Sequence, residues 1–313
     1  MSSAQLPAHA EIPPPTIEEV SEGIFAYVQL DGSWFLNNAG FITTGDGVIA
    51  IDTTGTEKRA RAFAAALRKT TPKPVQALVN THSHADHTHG NFMFAPQTAI
   101  IAHELCREEV LRGSLAALKA AFPTADFGEI PYVAPMVTFA ERLTAWAGDL
   151  RVELIFMGPA HTTNDIVAWI AGRRVLFSGD LVFNGGTPFA MAGSIAGWLD
   201  ALPRLRALGP ETVVPGHGAI CGPQAFDVVE RYLRFIDATA RTGLAAGVEP
   251  LELARATDLG EFATLSDPER IVGNLHRAYQ ELKGGERGGP LDVPLVFGEM
   301  VAFNGGQPLR CLA

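Results

Sequence analysis

The stretch that decides the fold is Thr81-His82-Ser83-His84-Ala85-Asp86-His87-Thr88-His89-Gly90. It follows the apolar segment VQALVN at residues 75–80, a pattern typical of a buried strand. At a strand end the side chains of residues i and i+2 project from the same face, so His82 and His84 can bind one ion. Asp86 and His87 lie just beyond, where the chain turns, and can bind a second. This density of ligands predicts a metal site rather than a surface loop that is merely rich in histidine.

The candidate ligands offer nitrogen and oxygen rather than sulfur. The chain has nine histidines, whereas its three cysteines lie far apart and form no CxxC motif. Imidazole nitrogen and carboxylate oxygen suit zinc, and an open coordination position leaves room for water. Further candidates follow apolar strands: His161 in MGPAHT, Asp180 in FSGD and His217 in PGHG. Each alone could be an ordinary turn residue, but together they support one metal site.

Length and charge exclude several classes of protein. With 313 residues, 47% of them hydrophobic, the chain can build one large core without disulfide bonds. Its formal net charge of -10 repels phosphate backbones and anionic membranes, which predicts no nucleic-acid partner and no membrane partner. Residues 1–15 contain several prolines and lack the basic and apolar regions of a secretory signal. We therefore expect a flexible N-terminal arm and a cytoplasmic protein.

Strand and helix patterns alternate through the first two thirds of the chain. Short apolar runs with Asp-Gly turns predict antiparallel strands over residues 23–52, and residues 57–69 have the pattern of an amphipathic helix. The next predicted elements are strands near 75–80, 151–157, 165–170 and 174–178, and a helix near 195–208. The alternation predicts a layered α/β sandwich over residues 16–222.

The remaining segments are expected to be loops and helices. Glycines and Pro188 interrupt the uncharged run from Leu181 to Leu199, which predicts a loop and a short helix rather than a membrane span. Residues 223–313 have helical patterns and are expected to form an extension packed on the same domain. Within this extension, Ser266-Asp267-Pro268-Glu269 predicts a capping box at the start of a helix.

The ordered pattern HxHxDH, followed by separate His, Asp and His, resembles the metallo-β-lactamase superfamily. This resemblance implies a four-layer αββα sandwich with two zinc ions between the sheet edges. It assigns His82, His84 and His161 to one zinc, and Asp86, His87 and His217 to the other. Asp180 would bridge the two ions, and Asp86 and Asp180 would both belong to the catalytic centre. Asp52 would orient a ligand histidine, although it could instead cap the helix that follows.

Longer stretches resemble the zinc-dependent cyclases of aromatic polyketide biosynthesis. The resemblance covers nearly the whole length, including VSEG at 20–23, VNTH at 79–82, GPAH at 158–161, TPFA at 187–190 and MVAFNGGQ at 300–307. It implies intramolecular aldol ring closure and release of an aromatic polyketide held as a thioester on an acyl carrier protein. The alternatives are a general hydrolase of thioesters or lactones and a metal-binding module without catalytic activity.

The sequence also suggests a substrate pocket, a docking helix and proton donors. The uncharged run after Asp180 contributes most of the pocket candidates, which are Phe183, Gly186, Phe189, Ala190, Trp198, Phe303 and Asn304. Ordinary core packing is the alternative for each of them. The densest basic cluster could dock an acidic carrier protein or could be a solvated helix face; it comprises Lys58, Arg59, Arg61, Arg68 and Lys69. Four tyrosines could donate protons, with nothing to select among them: Tyr27, Tyr132, Tyr232 and Tyr279.

Overall fold

The structure is a computed structural model that describes residues 12–43 and 45–313. Most of the predicted arm, residues 1–11, lies outside this range, and the first strand begins at Thr16. The first sheet of the described chain has seven strands, paired in sequence order: β1 (Thr16–Ser21), β2 (Ile24–Val28), β3 (Ala39–Ile42), β4 (Val48–Ile51), β5 (Val75–Val79), β6 (Ala99–His103) and β7 (Val137–Phe139). Its first four strands are antiparallel, and the pairs from β4 to β7 are parallel.

The second sheet of the described chain has five strands: β8 (Arg142–Ala147), β9 (Leu150–Phe156), β10 (Ile166–Ile170), β11 (Val175–Asn184) and β12 (Thr212–Gly218). Strands β8 to β11 pair antiparallel, and β12 joins β11 in parallel. The crossover from β11 to β12 contains helix α5 (Ile195–Leu208). Because β11 and β12 are parallel, their C-terminal ends lie at the same edge of the sheet.

Alternating burial explains why the first sheet is covered on both faces. In β4, Val48 and Ala50 pack with one cluster, which also contains Phe63 of the following helix. Ile49 and Ile51 point the other way, into a cluster shared with the second sheet. Successive side chains of a strand point to opposite faces, so an uninterrupted apolar strand requires a layer on each side. The predicted αββα sandwich is confirmed by these two clusters and by the helices that flank them.

The helices lie outside the two sheets. Those before the second sheet are α1 (Glu57–Thr70), α2 (Ala85–Thr88), α3 (Glu104–Arg112) and α4 (Leu115–Ala121). After α5 come the helices of the predicted extension: α6 (Ala225–Ala246), α7 (Pro250–Ala256), α8 (Arg270–Leu282) and α9 (Val293–Phe303). Helices α5, α6, α8 and α9 share one core cluster with the outer face of the second sheet. No helix formed by the described residues is both long and apolar enough to cross a membrane.

Two local predictions were wrong. The run starting at Leu181 is not all loop, because β11 continues through Asn184 and pairs with β12 over that length. The capping box is not formed: α8 begins only at Arg270, and no side-chain hydrogen bond caps its N-terminus. Asp267 instead adopts a positive φ of 54° and pairs with Arg270 at 3.0 Å. A buried ion pair has thus replaced the expected cap.

Gly193 provides a test of how tightly the loop before α5 packs. A Cβ at this buried position would collide with the carbonyl oxygen of Ala160 and with the backbone of His161. We expect Gly193→Ala to lower the free energy of unfolding by about 1–3 kcal/mol, as overpacked cores do. Gly298→Ala is the matched control, because open space surrounds Gly298 on α9 and alanine favours helices. Urea denaturation of both variants measures the difference, and an equal effect would contradict this packing.

Candidate metal centre

The candidate ligands converge at the ends of strands and in the loops beside them. His82 and His84 follow β5 directly, and Asp86 and His87 lie on the single turn of α2. The other three candidates come from the second sheet and its loop: His161 between β9 and β10, Asp180 on β11 and His217 on β12. All seven side chains are at least half-buried, and most are fully buried. The two sheets thus deliver ligands to one point between their edges.

A glycine allows β11 and β12 to bring their ligands together. At Gly216, in the PGHG segment, a Cβ would collide with the carboxylate of Asp180. Asn38 holds the same segment in place, since its side-chain amide donates to the carbonyls of Pro215 at 2.9 Å and Gly218 at 2.7 Å. No sequence pattern indicates Asn38, because a lone asparagine beside a strand belongs to no motif.

The ligand atoms form two groups. His82, His84, His161 and Asp180 make one, and Asp86, His87 and His217 make the other; within each group the ligand atoms lie within 4.8 Å of one another. Asp180 lies between the groups, because its Oδ2 is 3.2 Å from His161 Nε2 and 3.4 Å from His217 Nε2. The cluster can therefore bind two metal ions with one carboxylate between them.

The donor atoms of this cluster fit metal ions. His82 Nε2, His87 Nε2 and Asp180 Oδ1 are buried and have no hydrogen-bond partner among the described residues. Leaving such polar atoms unpaired costs about 1–3 kcal/mol each. Cations bound between them would satisfy all three, and a set of imidazole nitrogens and carboxylate oxygens is the usual surrounding of zinc. The residues present thus match the two-ion site that the superfamily resemblance implies.

Hydrogen bonds to the far side of the imidazole rings set the orientation of the ligands. His87 Nδ1 donates to Asp52 Oδ2 at 2.9 Å, and Thr81 donates to the same carboxylate through its backbone N–H and its hydroxyl, each at 2.7 Å. Asp52 does not cap the next helix, because Thr56 accepts the N-terminal hydrogen bond of α1. Nδ1 of His217 donates to the carbonyl of Gly32 at 3.0 Å. These bonds leave Nε2 of both rings facing the cluster.

Burial and charge give the cluster ionised carboxylates that attract positive charge. Burial lowers the pKa of His161 to about 3, which keeps its imidazole neutral. Burial raises the pKa of Asp180, but the surrounding histidines outweigh this effect and hold it well below its usual value. Burial lowers the pKa of His217, yet the carboxylates of Asp180 and Asp86 prevail and raise it to about 9. The carboxylates are thus ionised and hold positive charge at the centre of the cluster.

The family model of the metallo-beta-lactamase superfamily matches residues 32–217, more than half of the chain and all seven candidate ligands. The chain belongs to this superfamily. Its His/Asp cluster is able to bind a dinuclear metal site.

Curated relatives of this superfamily member differ in activity. The α subunit of 2,4-dinitroanisole O-demethylase from Nocardioides sp. (strain JS1661) is 29% identical over 78% of this chain and 66% of that protein. Linear primary-alkylsulfatase from Pseudomonas sp. (strain ATCC 19151) is 24% identical over 85% of this chain and 60% of that protein. The chain thus spans about two thirds or less of the length of these relatives. A metallo-beta-lactamase from Pontibacter korlensis shares the fold, with a TM-score of 0.58 and 22% identity over 71% of this chain and 99% of that one.

Two adjoining cavities open beside the candidate ligands of this superfamily member. The smaller, of about 220 Å³, lies on the cluster itself and is walled by aromatic side chains that include Trp34, Phe183 and Phe189. The larger, of about 730 Å³, extends between α3, α4 and α9. The two share four lining residues, which are His84, Ala85, Leu118 and Phe297. A bulky apolar molecule in the larger cavity can therefore reach the ligand cluster.

Two of the seven predicted pocket residues line these cavities. Phe183 and Phe189 line the smaller cavity, whereas the other five pocket candidates line neither cavity: Gly186, Ala190, Trp198, Phe303 and Asn304. Trp198 is fully buried in the core and donates its indole N–H to the carbonyl of Leu181. Ala190 is also fully buried, with its N–H bound to Asn274, and Asn304 bonds back to the tail. Trp198 and Ala190 belong to the core cluster, which is the placement that ordinary core packing predicts.

Sequence reasoning missed the residues that form most of the larger cavity. Leu118 and Ala121 come from the short helix α4, and Val293, Phe297 and Val301 come from α9. The alanine-rich segment LAALKAA and the apolar segment VPLVFGEMVAF contain no motif that indicates a ligand. The available signal was the apolar character of VPLVFGEMVAF, in which Glu299 is the single charged residue, because such a helix either joins a core or leaves apolar surface for a ligand.

The contribution of Asp52 to metal binding can be measured with Asp52→Asn. Asparagine keeps the shape of the side chain but loses the carboxylate charge that orients His87, so we expect metal affinity to fall about 10- to 100-fold. Competition titration with a chelator gives the affinity. The control is Asp200→Asn, an exposed carboxylate whose partner is Arg287. Equal affinities for the two variants would contradict the orienting role of Asp52.

Proposed function

We propose that this protein is a dizinc-dependent polyketide cyclase and thioesterase, which closes a ring by intramolecular aldol condensation and releases an aromatic polyketide from an acyl carrier protein. The observation that carries the proposal is the direct opening of the ligand cluster into an apolar cavity of about 730 Å³. This volume is in the range of cavities that enclose multi-ring ligands. The stretches that resemble polyketide cyclases support the same substrate class.

The proposed ligands are those that the superfamily resemblance assigns. His82, His84 and His161 would hold one zinc ion, Asp86, His87 and His217 the other, and Asp180 would contact both. When bound, two zinc ions supply a Lewis acid for a carbonyl oxygen and lower the pKa of a water molecule towards neutrality. Both properties suit aldol closure and thioester hydrolysis, so one centre can serve the two reactions.

The protein's own contribution is to position the substrate and to exclude water. The aromatic rings of Trp34, Phe183 and Phe189 line the cavity on the cluster and give it an apolar wall. A folded chain held in such a cavity keeps its reacting carbons close together, which lowers the entropic cost of ring closure. The buried guanidinium of Arg270 lies 4.1 Å from the centre of the Trp34 ring in the same wall, and its ion pair with Asp267 holds it there.

The proposed partner is an acyl carrier protein, which is acidic, so docking requires positive charge on this acidic enzyme. Helix α1 carries the candidate surface, but Arg59 is partly buried there and donates to Gln29 and to the carbonyl of Leu312. Arg61 pairs with Glu57 at 2.8 Å. The exposed positive charge left for docking comes mainly from Lys58, Arg68 and Lys69.

A general hydrolase of thioesters or lactones is the second candidate, because the ligand cluster alone would serve it equally well. The size of the larger cavity favours the cyclase, since hydrolysis of a small ester needs no cavity of this volume. The product distinguishes them: ring closure yields a cyclic compound, whereas hydrolysis alone yields an open-chain acid.

The decisive assay supplies a carrier-bound poly-β-ketone to the purified protein and analyses the products by mass spectrometry. We expect a ring-closed product that depends on zinc and disappears after treatment with a chelator. Asp180→Ala should reduce the rate to that of the chelator-treated enzyme, because it removes the carboxylate between the two ligand groups. The control Asp237→Ala removes only an exposed ion pair with Arg241 and should retain activity. An open-chain acid as sole product would favour the hydrolase, and full activity of Asp180→Ala would refute the metal mechanism.

The role of the larger cavity can be tested with Ala117→Trp. Ala117 lines the cavity from α4, so the indole would occupy space that a bulky substrate needs. We expect kcat/KM for a multi-ring thioester to fall about tenfold, while that for an acetyl thioester changes little. Ala116→Trp is the matched control, because Ala116 is exposed on the same helix and does not line the cavity. Similar losses for both substrates would argue against binding there.

A further inference from the structure

A hydrogen-bonded pair, His89 and Tyr132, lies in the wall of the larger cavity and belongs to neither ligand group. His89 is buried at the end of the histidine-rich stretch, while Tyr132 comes from the segment before β7 and is 38% exposed. Their rings meet edge to face with centres 5.2 Å apart, and Tyr132 Oη lies 3.2 Å from His89 Nε2. His84, a candidate metal ligand, lines the same cavity. The pair therefore faces the space in which the proposed substrate would bind.

The direction of this hydrogen bond follows from the other side of the imidazole. His89 Nδ1 lies 3.0 Å from the carbonyl oxygen of Gly55, which can only accept, so Nδ1 carries the proton. In the neutral ring Nε2 is then an acceptor, and the Tyr132 hydroxyl donates to it. The only proton of the Tyr132 hydroxyl is engaged in this hydrogen bond with His89. Towards the cavity, Tyr132 Oη can therefore only accept hydrogen bonds.

Tyr132 is distinguished from the other tyrosines by its position. All four tyrosines lie in the described part of the chain, and Tyr132 alone lines one of the two cavities. Tyr27 and Tyr232 are buried in the core, and Tyr279 donates to the carbonyl of Val248. Of the four tyrosines, Tyr132 is thus the one whose hydroxyl a molecule in these cavities can contact, and it meets that molecule as an acceptor rather than as a proton donor.

The other polar side chains of the cavity wall already have partners. Ser83 accepts from Asn164, and Thr88 donates to the carbonyl of His84. Ser114 caps the N-terminus of α4, and Glu109 pairs with Arg112 at 2.8 Å. Among the described residues, Tyr132 Oη makes only its bond to His89. Its proton is engaged by His89, and its lone pairs remain able to accept from a ligand.

We propose that Tyr132 Oη forms a recognition subsite for a hydroxyl group of the substrate, with His89 fixing it as an acceptor. The aromatic character of the ligand rests on the proposed function, whereas the subsite itself rests on the cavity and the hydrogen-bond direction. A phenolic or enolic hydroxyl donates to Oη while the rest of the molecule occupies the apolar cavity. An ether or carbonyl oxygen of a ligand has no proton to donate, so at this point it forms no hydrogen bond with Tyr132 Oη.

The test compares the binding of two probes that differ only in this donor. The probes are 2,6-dihydroxyanthraquinone and 2,6-dimethoxyanthraquinone, whose substituents lie away from the quinone oxygens and so do not chelate a metal with them. Isothermal titration calorimetry on the full chain gives both affinities. We expect the wild-type protein to prefer the dihydroxy probe about fivefold, the range of one net hydrogen bond. Equal affinities, or no binding of either probe, would overturn the proposal.

Two variants separate recognition from a structural role. Tyr132→Phe should lower the affinity for the dihydroxy probe about fivefold and leave the affinity for the dimethoxy probe unchanged. His89→Phe removes the acceptor of the phenol proton, so the Tyr132 hydroxyl can donate, and we expect the preference to fall because the dimethoxy probe binds more tightly. Equal weakening of both probes by Tyr132→Phe would show disturbed packing and overturn the subsite.

The matched control is Tyr279→Phe, which removes the same hydroxyl from a residue outside both cavities and should keep the wild-type preference. Binding needs neither turnover nor a carrier protein, so it is independent of the proposed function. A selective cavity in a protein that closes no ring would refute the cyclase alone. Ring closure without selectivity would refute the subsite alone.

Discussion

The position of one carboxylate governs the centre of this molecule. Asp180 lies within 3.4 Å of histidines from both ligand groups, and it can do so only because β11 and β12 approach each other across Gly216. The side-chain amide of Asn38 links this part of β12 to the first sheet by hydrogen bonds to two β12 carbonyls. A buried carboxylate is costly unless positive charge surrounds it. The same packing that brings β11 and β12 together buries Asp180, and the buried carboxylate then requires positive charge beside it.

Around that carboxylate, buried hydrogen bonds fix the orientation of the histidine rings. Asp52 holds His87, and the carbonyls of Gly32 and Phe189 hold His217 and His161. Each bond fixes which ring nitrogen faces inward, so the rings are already aligned before a cation is bound. Such preorganisation restricts the chemistry of the centre to what fits between fixed ligands. The walls of the adjoining cavities are left to select the molecule that reaches it.

Sequence patterns predicted the sandwich and the ligand positions because both depend on local rules. Apolar alternation specifies two-faced strands such as β4, and ligands at strand ends such as His82 and Asp180 follow apolar runs that are easy to recognise. The cavity was harder to predict, because it depends on how α4 and α9 pack against the sandwich. The uncharged run after Asp180 suggested a pocket wall, yet Trp198 and Ala190 serve the core. Apolar character predicts that a side chain is buried, but not whether it packs against the protein core or against a ligand.

The wall of the larger cavity that α9 supplies comes from the last part of the chain, whereas every candidate metal ligand lies between residues 82 and 217. Trp34 joins the two regions, because its indole N–H donates to Glu269 at 2.7 Å and its ring lies against Arg270. Substitutions on α9 can reshape the cavity without touching an atom that would hold a metal. Evolution can thus diversify the molecules accepted by this scaffold while inheriting its reactive centre unchanged.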